Sequence, residues 1–219
     1  MIKYAPAKYS YLLTRMGCLR VGTLHDFRIA EHKIGIHDPQ EGKKQVFHRT
    51  PILRIENTNS PSTQQSKDFQ ALSAFGAIHL ENCANVYIGP QDLRQDFDTS
   101  DCFIFCLSGR NSPDLYKEFG GSDTRVRISD IKQFLELITQ SLSAIVAVRF
   151  KGFQPVTNTS REQQWNGRNW GEHPAMIKEP KFTKQHEYRA IWEPIHAVPI
   201  FPVVLGNSKL PLCCEMLGH

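Results

Sequence analysis

A glutamate and an arginine two residues apart, Glu187 and Arg189, stand in the segment KFTKQHEYRAIWEP between residues 181 and 194. A carboxylate beside a guanidinium can hold a hydroxyl group, balance a developing positive charge, or simply form an ion pair. In a strand alternate side chains share a face, so Glu187, Arg189 and Ile191 point one way and Tyr188, Ala190 and Trp192 the other. The aromatic side is the natural core side. The charged side then meets either solvent, as a cross-strand ion pair worth less than about 1 kcal/mol, or a cleft where the carboxylate does chemistry. The polar run from 151 to 185 favours the cleft, because long loops held by rigid elements carry function disproportionately.

That run contains Trp165 and Trp170 together with Arg161 and Arg168. Aromatic rings beside arginines are the pairing expected of base stacking on a single-stranded nucleic acid. A loop anchored by one buried tryptophan accounts for the same pattern. Nearer the N-terminus, Arg20 and Arg28 each offer a planar fork of donors suited to a phosphate or pyrophosphate. Lys3 and Tyr4 add a donor and a stacking ring, and Tyr116, after the FCLS run, adds a second ring. Each serves equally well as a snorkelling or packing side chain.

The segment HDFRIAEHKIGIHDPQEG holds three histidines (His25, His32, His37) and four carboxylates (Asp26, Glu31, Asp38, Glu41). Its spacings fit neither H-E-x-x-H nor an EF-hand loop, so a charged surface segment is the simpler reading. No G-x-G-x-x-G, Walker A or nucleophile-elbow motif occurs. The six cysteines show no disulfide-framework spacing, and Cys213–Cys214 lack the C-x-x-C separation of a redox or zinc pair. With no apolar leader at the N-terminus and no apolar run of spanning length, a cytoplasmic protein with no membrane partner is expected. A net charge of +4 fits an anionic small molecule or a nucleic acid, without the basic runs that make nucleic acid the default.

The elements that must position these groups are many short strands and few helices. Ala7 to Met16 reads as a helix stopped by Gly17, and CFIFCLS as a central strand. The clearest helix is Asp130 to Ser143, with Ile131, Phe134, Leu135, Ile138 and Leu142 on one face and Ser129 able to cap it. Residues 57–67 read as a polar loop, residues 73–89 as two strands around a tight turn, and AVPIFPVVLG as a last edge strand. Without βαβ alternation this order predicts an α+β fold in a single domain of residues 1–219, with a split or curved mixed β-sheet.

The opening IKYAPAKYSYLLTRMGCLRVGTLHDFR resembles that of DarT-like ADP-ribosyltransferases, where a first strand leads through a short helix and a glycine into a second strand. KQHEYRAIW is similar to their closing segment, in which a catalytic glutamate starts a late strand after a substrate-recognition loop. The chain also resembles a bacterial and phage family of undefined function. That family carries D-P-x-E-G (here Asp38 to Gly42), an F-C-L-S strand and a late E-x-R. In place of the first-strand His or Arg usual in the transferases, this chain has Lys3 and Tyr4, with Arg20 on the next strand.

The resemblance implies an ADP-ribosyltransferase-like fold with NAD, used as substrate, bound between the split halves of the sheet. It implies Glu187 and Tyr116 as catalytic residues and Lys3, Tyr4, Arg20, Thr23, Arg28 and Arg189 as cofactor-binding residues. Trp165, Arg168 and Trp170 would meet a macromolecular acceptor, nucleic acid or protein, in a toxin or phage-defence effector. The residues alone leave two alternatives open: a non-catalytic nucleotide- or nucleic-acid-binding module, and a phage protein acting on a host partner.

Overall fold

The computed structural model describes residues 1–29 and 37–217, so Glu31 and His32 lie outside the described residues. Strand β1 (Ile2–Ala5) leads through Pro6 into α1 (Ala7–Met16). Gly17 ends this helix at φ 65°, a left-handed conformation that glycine adopts without a Cβ penalty. Strand β2 (Cys18–Thr23) follows. Strands β3 (Lys43–Thr50) and β4 (Leu53–Asn57) are separated around Pro51, which lacks the N–H that a continuous ladder requires.

The run expected to be a loop instead forms α2 (Pro61–Gln65) and ends on Lys67, the first residue of α3 (Lys67–Ala74). Ser60 and Ser66 each accept a hydrogen bond from a first-turn N–H, so the serines that read as loop formers act as N-caps. Helix α3 also takes the start of the expected two-strand segment, which leaves β5 (Ala84–Ile88) as its one strand. Strands β6 (Gln91–Asp98), β7 (Phe103–Ser108) and β8 (Thr124–Ile128) precede α4 (Ile131–Ser143). The cap of α4 is Asp130, one residue later than expected; its carboxylate accepts from the Gln133 N–H at 2.9 Å. The remaining strands are β9 (Val148–Pro155), β10 (Thr157–Asn158), β11 (Glu162–Gln164), β12 (Ile177–Lys178), β13 (Glu187–Pro194), β14 (Val203–Gly206) and β15 (Cys214–Leu217). The protein is therefore α+β, rich in strands and poor in helices.

Two compact units are formed: Met1–Gly42 with Thr99–Thr159 and Ala175–His219, and Lys43–Asp98 with Ser160–Pro174. The first carries an eight-stranded sheet in the order β14-β2-β7-β1-β8-β15, with β13 between β7 and β9. Every pairing described in this sheet is antiparallel, in place of the mixed sheet expected. Parallel neighbours in a large sheet need long crossover connections, usually helical, and the described part of this unit has only α1 and α4 as α-helices. Parallel pairs are confined to β10–β12 and, in the second unit, β11–β3.

One irregularity in the large sheet places the site. Strand β13 covers one edge of β7 along its whole length. On the other edge β2 pairs only with Phe103 and Ile104, and β1 only with Ser108. Strands β1 and β2 thus diverge across Phe105, Cys106 and Leu107. The core on one side of the sheet joins Phe105, Val126 and Trp192 to Phe134, Ile138 and Leu142 of α4. Trp192 is tied there by an indole N–H donating to Thr139 Oγ1 at 2.7 Å. A smaller cluster, with Leu24, Ile104, Val156, Met176 and Ile191, contains the other face of β13.

The second unit is built from the β11-β3-β6 sheet, the β4–β5 ladder and helices α2 and α3. Its core gathers Val46, Ala71, Leu72, Leu93 and Trp165. No helix among the described residues is long and apolar enough to cross a membrane.

Candidate functional site

Both faces of β13 are buried, so the solvated reading of Glu187 and Arg189 does not hold: they are 6% and 1% exposed. Charges removed from water this far must be paired, because an isolated buried ion costs several kcal/mol. Glu187 Oε1 accepts from Arg189 Nε at 2.6 Å, and Oε2 accepts from Lys178 Nζ at 2.7 Å. The Arg189 guanidinium then donates bidentately to Glu41, from Nη1 at 2.7 Å and Nη2 at 3.0 Å, and also to the Ala175 carbonyl. The result is a buried chain of alternating charge, Glu41–Arg189–Glu187–Lys178.

Each member is delivered by a distinct local device. Before Glu187 a 3-10 helix, Pro180–Gln185, ends at His186 with φ 45°. This left-handed residue is pinned because its carbonyl accepts from the Gly109 N–H at 2.8 Å, while the Gln185 carbonyl accepts from Ser108 Oγ at 2.8 Å. Lys178 leaves the short parallel ladder of β12 with β10. Its ammonium donates to Gln185 Oε1 at 2.9 Å as well as to Glu187, and lies 4.4 Å above the Phe182 ring. Glu41 comes from the D-P-Q-E-G turn. There Asp38 accepts from the Gln40 N–H at 3.1 Å, and Gly42 has φ 71° where an added Cβ would collide with the Leu24 side chain.

Burial alone would raise the Glu187 pKa. The charges and hydrogen bonds of Arg189 and Lys178 outweigh it and hold this carboxyl well below the usual range. Burial likewise opposes the Arg189 charge, but Glu187 and Glu41 raise its pKa further. The pair is ionised at neutral pH. Opposite Arg189 across the sheet, the Cys106 thiol is pushed up to about 12 by burial and then by the Glu187 charge, so it stands as an inert neutral group.

These residues form part of the wall of a cavity of about 680 Å³, within the range of small-molecule sites. Lys3, Arg20, Lys178 and Arg189 line it with Glu41 and Glu187, so cations outnumber carboxylates among its described lining residues. Its lining includes residues of β1, β2 and β7 around the gap where β1 and β2 diverge. The Cys106 carbonyl in that gap accepts from Lys3 Nζ at 3.0 Å. Burial lowers the pKa of the Lys3 ammonium despite the opposing influence of Cys106 and Glu187.

The structure brings together only some of the expected site. Lys3, Tyr4, Arg20, Glu187 and Arg189 share the cavity wall. Arg20 donates to Asp26 at 2.7 Å, and nearly half of its side chain remains exposed. The Tyr4 ring stacks on Phe119 with centroids 5.0 Å apart, and its hydroxyl is fixed by Arg110 and Ser112, so it serves packing. Tyr116 lies outside the lining, edge-on to Tyr4 at 5.6 Å with the Arg125 guanidinium over its ring. Thr23 is buried on the opposite face of β2 from Arg20, where its hydroxyl accepts from the Asp26 N–H. Arg28 also lies outside the lining; it donates to the Glu41 carbonyl at 2.6 Å and so positions the turn.

Trp165, Arg168 and Trp170 belong to the second unit. Trp165 is 6% exposed, edge-on to His48, which removes it as a free stacking surface. Trp170 packs edge-on against Phe75 and Phe97, while Arg168 is exposed. Lys44 holds this loop through the carbonyls of Asn169, Trp170 and Glu172.

Sequence reasoning missed Lys178 and Gln185 altogether and took Glu41 for a surface charge. Glu41 had a signal in its D-P-x-E-G turn. Lys178 had none, since a two-residue strand leaves no periodicity to read.

Comparison with protein-family models, curated proteins and solved structures gave no match, so the site is interpreted from its own geometry. Fold and site define an α+β protein whose split antiparallel sheet encloses a cation-rich cavity around a buried, ionised carboxylate.

Proposed function

We propose that the chain is an NAD-dependent ADP-ribosyltransferase-like enzyme, a toxin or phage-defence effector that modifies nucleic acid or protein. The observation that carries this reading is Glu187: a carboxylate fixed on both oxygens at the start of a strand, in the wall of a cavity it shares with Lys3 and Arg20. Each carboxylate oxygen accepts two hydrogen bonds. Lys178 and Arg189 occupy one site on each oxygen, which leaves acceptor capacity for the hydroxyls of a ribose.

In this mechanism Arg20, exposed at the cavity with donors beyond its Asp26 bond, holds the diphosphate. Glu187 accepts from the ribose 2′-hydroxyl. As the bond from C1′ to nicotinamide breaks, positive charge develops on the ribose, and the carboxylate faces that charge without having to reorient. A carboxylate held this acidic is a poor general base at neutral pH, so orientation and charge are its contribution. Arg189 and Lys178 act through Glu187 and position it.

Incubation of the purified protein with labelled NAD and a cell lysate tests this reading. Transfer of label to nucleic acid or protein by the wild type, and its loss in Glu187→Gln, supports it. Absence of transfer by the wild type, or equal transfer by both, rejects it.

A further inference from the structure

Lys3 is unlike Lys178, the other lysine among the described lining residues of the cavity. Among the described residues it forms no ion pair, and its one hydrogen bond, to the Cys106 carbonyl, uses a single donor of three. Lys3 is half-buried, and a lysine drawn this far from water usually has a charged partner. The Phe105 ring lies 4.6 Å from Nζ, and the neighbouring cavity wall includes Ile2, Leu107 and Val126. The divergence of β1 and β2 explains why the amine is there: it caps a strand carbonyl left without a ladder partner. Capping does not explain why the group borders a cavity of about 680 Å³ in company with Arg20 and Lys178.

We propose that Lys3 is a carbonyl-reactive amine, and that aldehydes bearing an anionic group enter this cavity and form an imine with its Nζ. Lysine amines become nucleophiles when desolvated in an apolar pocket or set beside other cations, and Lys3 has both surroundings. Burial lowers its pKa, so a larger share is the neutral amine than in a solvated lysine. Lys178, the other amine in the wall, is committed to Glu187 and Gln185.

The neutral Nζ bonds to the carbonyl carbon while the carbonyl π pair moves onto oxygen, which takes up a proton as Nζ gives one up. The resulting carbinolamine's hydroxyl takes up a proton and leaves as water as the nitrogen lone pair forms the C=N bond, and the iminium so formed gives up its N–H proton, which restores the proton consumed. Amine and aldehyde become imine and water, with no change of oxidation state. Arg20 supplies the charge that draws in the anionic group.

The test is labelling of the full chain with pyridoxal 5′-phosphate, trapping by borohydride and peptide mapping at several pH values. The expected result is an adduct at Lys3 forming about tenfold faster near neutral pH than at the exposed Lys8 and Lys132, with a lower pH midpoint. Pyridoxal without its phosphate should label Lys3 more slowly, and Lys3→Arg, which keeps a cation at the Cys106 carbonyl, should remove the adduct. The Met1 amine, whose pKa burial also lowers, is separated from Lys3 by fragment ions. Adducts confined to Met1 and exposed lysines in the wild type, or equal rates at Lys3 and Lys8, overturn the proposal. Equal rates with pyridoxal and its phosphate overturn its anionic part.

Discussion

Lys178 Nζ lies 2.7 Å from Glu187 Oε2, with both side chains almost completely buried. The two are nine residues apart, joined by a 3-10 helix whose last residue, Gln185, also accepts from Lys178. This contact turns a strand-end glutamate into an oriented group that is ionised at neutral pH.

Removing one partner of a buried ion pair leaves an uncompensated charge. Lys178→Met should therefore destabilise the protein by about 3–5 kcal/mol, read from the urea midpoint. Adding Glu187→Gln should recover part of that loss, because the buried chain is then left with the balanced pair Glu41–Arg189. A double-mutant cycle with no coupling between the two sites would show that the contact is energetically idle.

Glu187 also sets an acid limb of stability. Its folded pKa lies below its unfolded value, so its contribution is fully present above the ordinary carboxylate range and is lost as pH falls through the lower folded pKa. Unfolding free energy measured from pH 6 downward should fall less steeply in Glu187→Gln than in the wild type. An identical acid slope in the two proteins would contradict the assigned shift.

Arg20 separates binding from folding. Its side chain is nearly half exposed and its ion pair is with Asp26, whose side chain is 10% exposed, so Arg20→Ala should lower the melting temperature only slightly. Loss of a charge-assisted contact to a diphosphate should weaken NAD binding by about tenfold to a hundredfold in calorimetric titration. Unchanged NAD affinity would remove Arg20 from the site.

In the second unit, Trp165→Ala should cost about 3–5 kcal/mol through the cavity it leaves among Val46, Leu72 and Leu93. Chemical denaturation followed by tryptophan fluorescence reads this directly. A stable variant with selectively weakened nucleic-acid binding would restore Trp165 to the acceptor surface.

Strands β7 and β13 and helices α1 and α4 were legible in the sequence because apolar periodicity and a stop signal such as Gly17 act locally. The serines before α2 and α3 were misread because a cap and a loop former are the same residue until the following turn closes. Glu187 and Arg189 were placed correctly on one strand face, yet their burial was not legible, since it depends on Glu41, 148 residues from Arg189. Alternating charges look solvated when the partner that permits burial is distant. The rings assigned to the site also turned out to be packing groups: the Tyr4 ring lies against those of Tyr116 and Phe119, a pairing visible only in three dimensions.

In the proposed reaction Glu187 is a fixed carboxylate acting on the ribose of NAD. Nicotinamide release from NAD, measured for wild type and Glu187→Gln after both are shown by calorimetry to bind NAD, tests it most directly. Comparable binding is expected, with a rate about 10²- to 10³-fold lower in the variant, the loss typical when one preorganised electrostatic group is removed. Equal release rates, or no release by a wild type that binds NAD, would contradict it.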